Sequence, residues 1–390
     1  MDGSLASAPL AIRLDAPMSP QSAPADPKRP RRILAIDGGG IRCLIAIEVL
    51  LALEERLQRA TGDAGRRLCQ HFDLVAGTSG GAIVGTAIAL GLSMREIRDF
   101  VVGNARHMFS LASLPARYYS WYDKTTLEQN MKDWFGPDTA LGSDKLQTLL
   151  LVIMRNWSTD SPWLVSNNPH APFNDRALDD CNLDLPLWQL ARASSAAPGY
   201  YTPETIRFGR ANPYDFVFVD GGLTGFLNPA FKAFQYATTG PYGLNWKASE
   251  EDLVLVSIGA GDARYRKPHK TADDLHILRA ALEFPNAMLQ ATVREQDLLC
   301  RTFGRCETGE PIDLEVGDLR GASTALASRL FTYHRINPVL SRAGLGAIGC
   351  AHIDPRDVIP IDAVEHVAAL SEVGQAIAAR TLDGVLSDCV

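Results

Sequence analysis

The chain has 390 residues, 46% hydrophobic and 21% charged, with a formal net charge of −7. That is the make-up of a globular protein able to bury a large core, and its acidic balance leaves nucleic acid out as a main partner. No apolar run approaches the ~20 residues of a membrane-spanning helix, and no basic-then-apolar start marks a secretory signal.

Residues 1–30, rich in Ala, Pro and Ser, read as a disordered tail. Lys28, Arg29, Arg31 and Arg32 form a basic run ahead of the first strand. It is expected to be solvated, with contact to anionic lipid headgroups as the other reading. Arg32 to Asp37 is a short apolar run, the pattern of a buried parallel strand. Gly38, Gly39 and Gly40 turn it into a helix carrying Leu44, Ile47, Leu50 and Leu57 at helical spacing, with Gly62 as its stop. Phe72 to Ala76 is a second strand, followed by a helix of small residues from Gly80 to Leu90. Residues 94–135 read as helix and loop, Leu149 to Met154 as a strand, and Leu187 to Ala197 as a helix ended by Pro198. Phe216 to Val219 and Leu253 to Ile258 are further strands. Residues 275–390 read as mainly helical, without a separate motif.

Strands alternating with helices predict an α/β fold with a mainly parallel sheet and helices on both faces. Three domains of organisation follow: the tail at 1–30, a core at 31–265, and a helical region at 266–390 packed on that core. In parallel sheets ligands bind beyond the carboxyl ends of the strands, and the glycine clusters all fall there. The seven cysteines are scattered, with no CxxC pair and no zinc spacing, which reads as reduced thiols in a cytoplasmic protein without a metal site.

Gly77-Thr78-Ser79-Gly80-Gly81 has the G-x-S-x-G pattern of a nucleophile elbow, between a strand and a helix as that motif requires. The bland alternative is a glycine-rich turn. Gly77 and Gly81 remove the side chains that would crowd the turn, leaving the Ser79 hydroxyl clear, and the helix start behind it favours negative charge. A serine hydroxyl needs a base. None of the eight histidines stands in a convincing strand-end loop, whereas Asp220 does, ahead of Gly221 and Gly222. Read without context, Asp-Gly is simply a common turn pair. Gly38, Gly39 and Gly40 can present successive N–H groups to a developing oxyanion, with Arg42 adding a positive charge. The same Asp-Gly-Gly-Gly also opens the phosphate loop of some sugar kinases in the actin-like ATPase class; the Walker pattern fails, since no G-K-[ST] follows.

Asp-Gly-Gly-Gly-Ile-Arg, Gly-Thr-Ser-Gly-Gly and Asp-Gly-Gly, in this order, closely resemble the patatin-like phospholipase family. Arg192-Ala193-Ser194-Ser195-Ala196-Ala197-Pro198 and Ser257-Ile258-Gly259-Ala260-Gly261 are similar to further segments of it, and the resemblance spans about residues 32–262. It implies a three-layer α/β/α fold and a lipid acyl hydrolase of phospholipase A or lysophospholipase type that uses no cofactor. Carried over, it makes Ser79 the nucleophile and Asp220 the base of a dyad, with Gly38, Gly39, Gly40 and Arg42 as the oxyanion region. Two positions depart from the pattern. Cys43 stands where the family has glycine, and a single Asn228 precedes Pro229 where the family often has two asparagines.

The resemblance also implies peripheral association with a phospholipid membrane surface and leaves room for a homo-oligomer. It brings in a cyclic-nucleotide activator, since some bacterial members are antiphage effectors switched on by one. Residues 108–122, with Phe109, Tyr118, Tyr119, Trp121 and Tyr122 around Arg117, suit a membrane interface, but the expectation is that they cover the core beside the site. The competing function classes are the actin-like kinase and a catalytically silent binding protein on the same fold.

Overall fold

In the computed structural model, nine strands form one mixed sheet; residues 29–263, 271, 274 and 276–389 are described. In chain order the strands are β1 (Arg31–Ile36), β2 (Leu74–Thr78), β3 (Leu149–Asn156), β4 (Ser161–Ser166), β5 (Glu204–Phe208), β6 (Tyr214–Val219), β7 (Leu253–Ile258), β8 (Arg305–Thr308) and β9 (Thr332–Ile336). The sheet order is β5-β6-β3-β2-β1-β7-β9-β8, with β4 on the free side of β3. From β3 through β8 every neighbour is parallel, and only β4, β5 and β6 run against their partners. The helices are α1 (Cys43–Thr61), α2 (Gly80–Ala89), α3 (Met94–Met108), α4 (Lys124–Phe135), α5 (Leu187–Ser194), α6 (Ala230–Thr238), α7 (Ile277–Phe303), α8 (Arg342–Ala347), α9 (Pro355–Val358) and α10 (Val367–Cys389).

The central strands read as unbroken apolar runs because both faces are covered. Leu34, Ile36, Val75, Val152 and Val256 face one core, packed under α1 to α5 and α10. Their chain neighbours Ile33, Ala35, Leu74, Leu151 and Leu255 face the other, with Phe231, Phe234 and Tyr236 of α6 and Cys300 of α7. That alternation makes three layers, the expected α/β/α architecture. No helix among the described residues is long and apolar enough to cross a membrane.

Four expectations change. Of the tail expected at 1–30, residues 1–28, Lys28 among them, lie outside the described residues, but the rest of the basic run is tied down rather than solvated. Arg29 grips Asp73 with two nitrogens at 2.8 and 2.9 Å, Arg31 stacks over Trp246, and Arg32 is buried. The stretch read as helical after residue 275 also contains β8 and β9, which complete the sheet beside β7. β9 escaped notice because its buried polar residues find distant partners: Thr332 the Glu250 carbonyl, His334 the Asp388 carboxylate, Arg335 the Asp37 carboxylate. The helix expected through Ala197 stops at Ser194. Finally, the aromatic loop covers the core only in part: Met108 and Ala112 are buried and Phe109 and Tyr122 pack against the core, while its tip stands out. Leu114, Tyr118, Tyr119 and Trp121 are 60–86% exposed, and the loop is tied down through backbone bonds from Trp121 and Tyr122 to Gly199 and Tyr200.

Candidate active site

The pairing of Ser79 with Asp220 is set up by strand direction. β2 and β6 lie along the same edge of β3, β2 pairing with Leu149 to Ile153 and β6 with Arg155 and Asn156. β2 runs up to Thr78, and β6, running against β3, comes down to Val219, so the two strands meet end to end. Ser79 follows one end and Asp220 the other, 141 residues apart in sequence, and the Ser79 Oγ donates to Asp220 Oδ2 at 2.7 Å.

Ser79 sits at φ 55°, ψ −128°, a left-handed conformation that a side chain adopts only under constraint. The constraint comes from packing: a side chain at Gly81 would collide with the Ile36 and Asp37 carbonyls, and one at Gly77 with the Gly81 carbonyl. The turn is therefore wedged between β1 and the start of α2. Both residues are buried, Ser79 to 8% and Asp220 to 6% exposure. Burial pushes the Asp220 carboxyl up to about 6, against the pull of the Gly222 N–H, the Ser79 hydroxyl and the Arg192 charge. It is thus mostly ionised at neutral pH and placed to accept a proton. Gly222 donates to Asp220 Oδ1 at 2.7 Å, and Gly221 packs against the Ile153 carbonyl.

The glycine loop departs from a uniform row of donors. The Gly38 N–H is taken by the Leu227 carbonyl at 2.9 Å, and Gly38 instead lets the loop approach Ser79, whose Cβ a side chain there would crowd. The N–H groups of Gly39 and Gly40 have no partner among the described residues. Gly40 adopts φ 58° beneath the Ile361 carbonyl, which accepts from the Ile41 N–H. Arg42 is buried beside Gly39, its Nε without a hydrogen-bond partner among the described residues. Burial pulls its guanidinium down to about 10, held up by Asp262, Asp37 and Tyr200, so it stays charged at neutral pH. Of the two departures from the family pattern, Cys43 is buried where α1 begins, and Asn228 accepts from Ala230 at the head of α6 and from Ser257.

Sequence reasoning missed Arg335. It clamps Asp37, the residue just before the glycines, through two contacts at 2.8 and 2.6 Å, and reaches Ser257 at 2.7 Å. Burial pulls the Arg335 guanidinium down, but the two-pronged pair with Asp37 outweighs it and leaves it above its ordinary value. The signal was Asp37 itself, since a carboxylate ending a buried strand needs a cation.

A family model described as patatin-like phospholipase matches residues 34–231, which hold the glycine loop, the elbow and Asp220. The chain belongs to the patatin-like phospholipase family. It is 30% identical over 250 residues to a cGAMP-activated phospholipase of Vibrio cholerae, covering 60% of this chain and 65% of that protein. It is 31% identical over 243 residues to a cGAMP-activated phospholipase of Escherichia coli, covering 59% and 62%. An intracellular phospholipase A2 of Caenorhabditis elegans is 29% identical over 245 residues, 59% of this chain and 19% of that protein. The chain therefore spans less than two thirds of each of these relatives. Family membership removes the support for the actin-like kinase reading of Asp-Gly-Gly-Gly.

Proposed function

We propose that this patatin-like protein is a serine lipid acyl hydrolase that releases fatty acids from membrane phospholipids through a Ser79–Asp220 dyad. The direct 2.7 Å hydroxyl–carboxylate bond carries the reading. Asp220 takes the Ser79 proton as Oγ attacks the ester carbonyl. The oxyanion gathers on the Gly39 and Gly40 N–H groups, beside the Arg42 charge. Collapse breaks the ester bond, and the departing alcohol takes the proton back from Asp220. Asp220 then deprotonates a water that attacks the acyl-enzyme, which frees the fatty acid and restores the serine. Nothing in this cycle needs a cofactor.

The substrate arrives on a membrane surface. Leu111, Leu114, Tyr118, Tyr119 and Trp121 are exposed around Arg117, a composition suited to the lipid–water interface. The two bacterial relatives described as cGAMP-activated support a cyclic-nucleotide activator; the role in antiphage defence rests on the family resemblance alone. Wild type, Ser79→Ala and Asp220→Asn should be compared on mixed phospholipid vesicles, with and without cGAMP, by mass spectrometry of released fatty acid. Release by wild type alone, and labelling of wild type but not Ser79→Ala by a fluorophosphonate, is the expected result. Release that persists in Ser79→Ala overturns the mechanism. A wild type that neither labels nor hydrolyses in either condition points to the silent binding protein.

A further inference from the structure

The segment Arg192-Ala193-Ser194-Ser195-Ala196-Ala197-Pro198 has no part in the cycle above, yet it touches both members of the dyad. The Ser79 N–H donates to Ser194 Oγ at 2.8 Å, and Ser194 Oγ donates onward to the Ile153 carbonyl at 2.7 Å. Two residues on, the Ala196 carbonyl accepts from the Asp220 N–H at 3.0 Å. Ser194 is fully buried at the last position of α5, where the helix ends and the chain turns toward the acid loop. The Ile153 carbonyl is also the group against which Gly221 packs.

We propose that Ser194 is a positioning residue for the nucleophile: its hydroxyl holds the Ser79 backbone N–H and, together with the Ala196 carbonyl, fixes the separation between Ser79 and Asp220. This rests on the dyad mechanism proposed above. Because its own hydrogen is spent on the Ile153 carbonyl, the Ser194 oxygen can only turn a lone pair toward Ser79. That bond anchors the N–H side of a residue held in a left-handed conformation, whose carbonyl is held by Ala82 and Ile83 of α2. It also removes the Ser79 N–H from the oxyanion donors, leaving that task to the Gly39 and Gly40 side of the site. Without the Ser194 hydroxyl, a buried N–H loses its only acceptor among the described residues and the elbow relaxes away from Asp220.

The test uses hydrolysis of p-nitrophenyl butyrate by the full chain, with Ser194→Ala, Ser194→Cys and Ser194→Thr beside Ser79→Ala and a Ser195→Ala control. The Ser195 hydroxyl donates to the Ala191 and Arg192 carbonyls of the helix it follows, and among the described residues it bonds to neither Ser79 nor Asp220. Ser194→Cys leaves no cavity, its sulfur being somewhat larger than the oxygen, but offers only a weak acceptor, so beside Ser194→Ala it separates loss of the hydrogen bond from loss of packing. A displacement of under 1 Å at the reacting atoms should lower kcat by about 30- to 100-fold in Ser194→Ala and Ser194→Cys, with KM within about twofold. The acid limb of the pH profile should move upward as Asp220 loses its bond from Ser79. Ser194→Thr, which keeps the hydroxyl, should recover most of kcat, and Ser195→Ala should match wild type. Wild-type kcat and an unmoved acid limb in folded Ser194→Cys, with Ser79→Ala inactive, overturn the role of Ser194 alone. Activity retained in Ser79→Ala overturns the dyad on which it rests. If Ser194→Ala does not fold, the Ser194→Cys and Ser194→Thr pair decides.

Discussion

Residues 33–262 and residues 276–389 serve one site in different ways. The first stretch holds every atom proposed to react, and its motifs advertise it. The second holds no recognisable motif, yet it fixes where the first stretch puts those atoms. Arg335 on β9 clamps Asp37, the Ile361 carbonyl takes the Ile41 N–H, and Asp362 accepts the Tyr122 hydroxyl at 2.7 Å. On the other side of the site, Leu289 of α7 packs by Gly222 and the Val293 carbonyl receives Asn228. Reacting groups leave short local signatures because each needs a strained turn or a bare backbone. Supporting groups leave none, since any cation or carbonyl brought to the right place by the fold will serve.

The largest effects should separate the two stretches cleanly. Asp220→Asn should lower turnover by roughly 10⁴-fold or more while the protein stays folded, as expected for removal of a general base. Arg335→Met should instead fail in stability. It leaves Asp37 buried without its cation, a loss of about 3–5 kcal/mol by chemical denaturation. A well-folded but inactive Arg335→Met would mean that the second stretch shapes chemistry rather than fold, and would break the comparison.

A middle-sized effect comes from the pH behaviour of Asp220. For wild type, kcat/KM should fall as pH drops through about 6, because the protonated carboxyl cannot act as base. Stability should move the other way. A carboxyl raised from 3.8 to about 6 binds its proton more tightly in the folded state, so the native state loses about 3 kcal/mol as pH rises from 3.8 to 6. Asp220→Asn should then melt about 2–4 °C above wild type at pH 7, with the gap closing below pH 4. Equal melting temperatures at pH 7 would show that the raised carboxyl carries no such cost.

Smaller changes probe the seams. Replacing Trp121 and Tyr119 by serine should cut binding to phospholipid vesicles about tenfold and leave hydrolysis of a water-soluble ester untouched. Unchanged vesicle binding would return the loop to a purely structural role. Tyr122→Phe removes one half-buried bond to Asp362 and should cost about 1 kcal/mol of stability. A loss of turnover far beyond that would tie the Asp362 strap to the glycine loop more closely than the contacts suggest.

What could be read from the sequence follows the same division. Leu253 to Ile258 is a strand over the expected residues because all its side chains but Ser257 are apolar, on both faces. Thr332 to Ile336 is equally buried, but its Thr, His and Arg are satisfied by partners 54 to 298 residues away, and no local pattern records that. The second strand was expected at Phe72 to Ala76 and lies at Leu74 to Thr78; the buried Thr78 hydroxyl finds the Phe226 carbonyl, a contact made only by the folded chain. Ser79 and Asp220 were legible because their glycines were. The diversion of the Gly38 N–H to Leu227 was not, since it depends on where a loop 189 residues later comes to rest.

The clamp between Asp37 and Arg335 joins residues 298 positions apart. During synthesis the glycine loop and the elbow leave the ribosome long before β9 exists, and at ~5–20 residues per second the wait lasts tens of seconds. Throughout that interval the nascent chain carries its serine without the ion pair that anchors the neighbouring loop. The register of that loop is thereby deferred until translation is nearly finished, and a polypeptide released early, before Arg335, carries the three glycine motifs without the means to hold them in place.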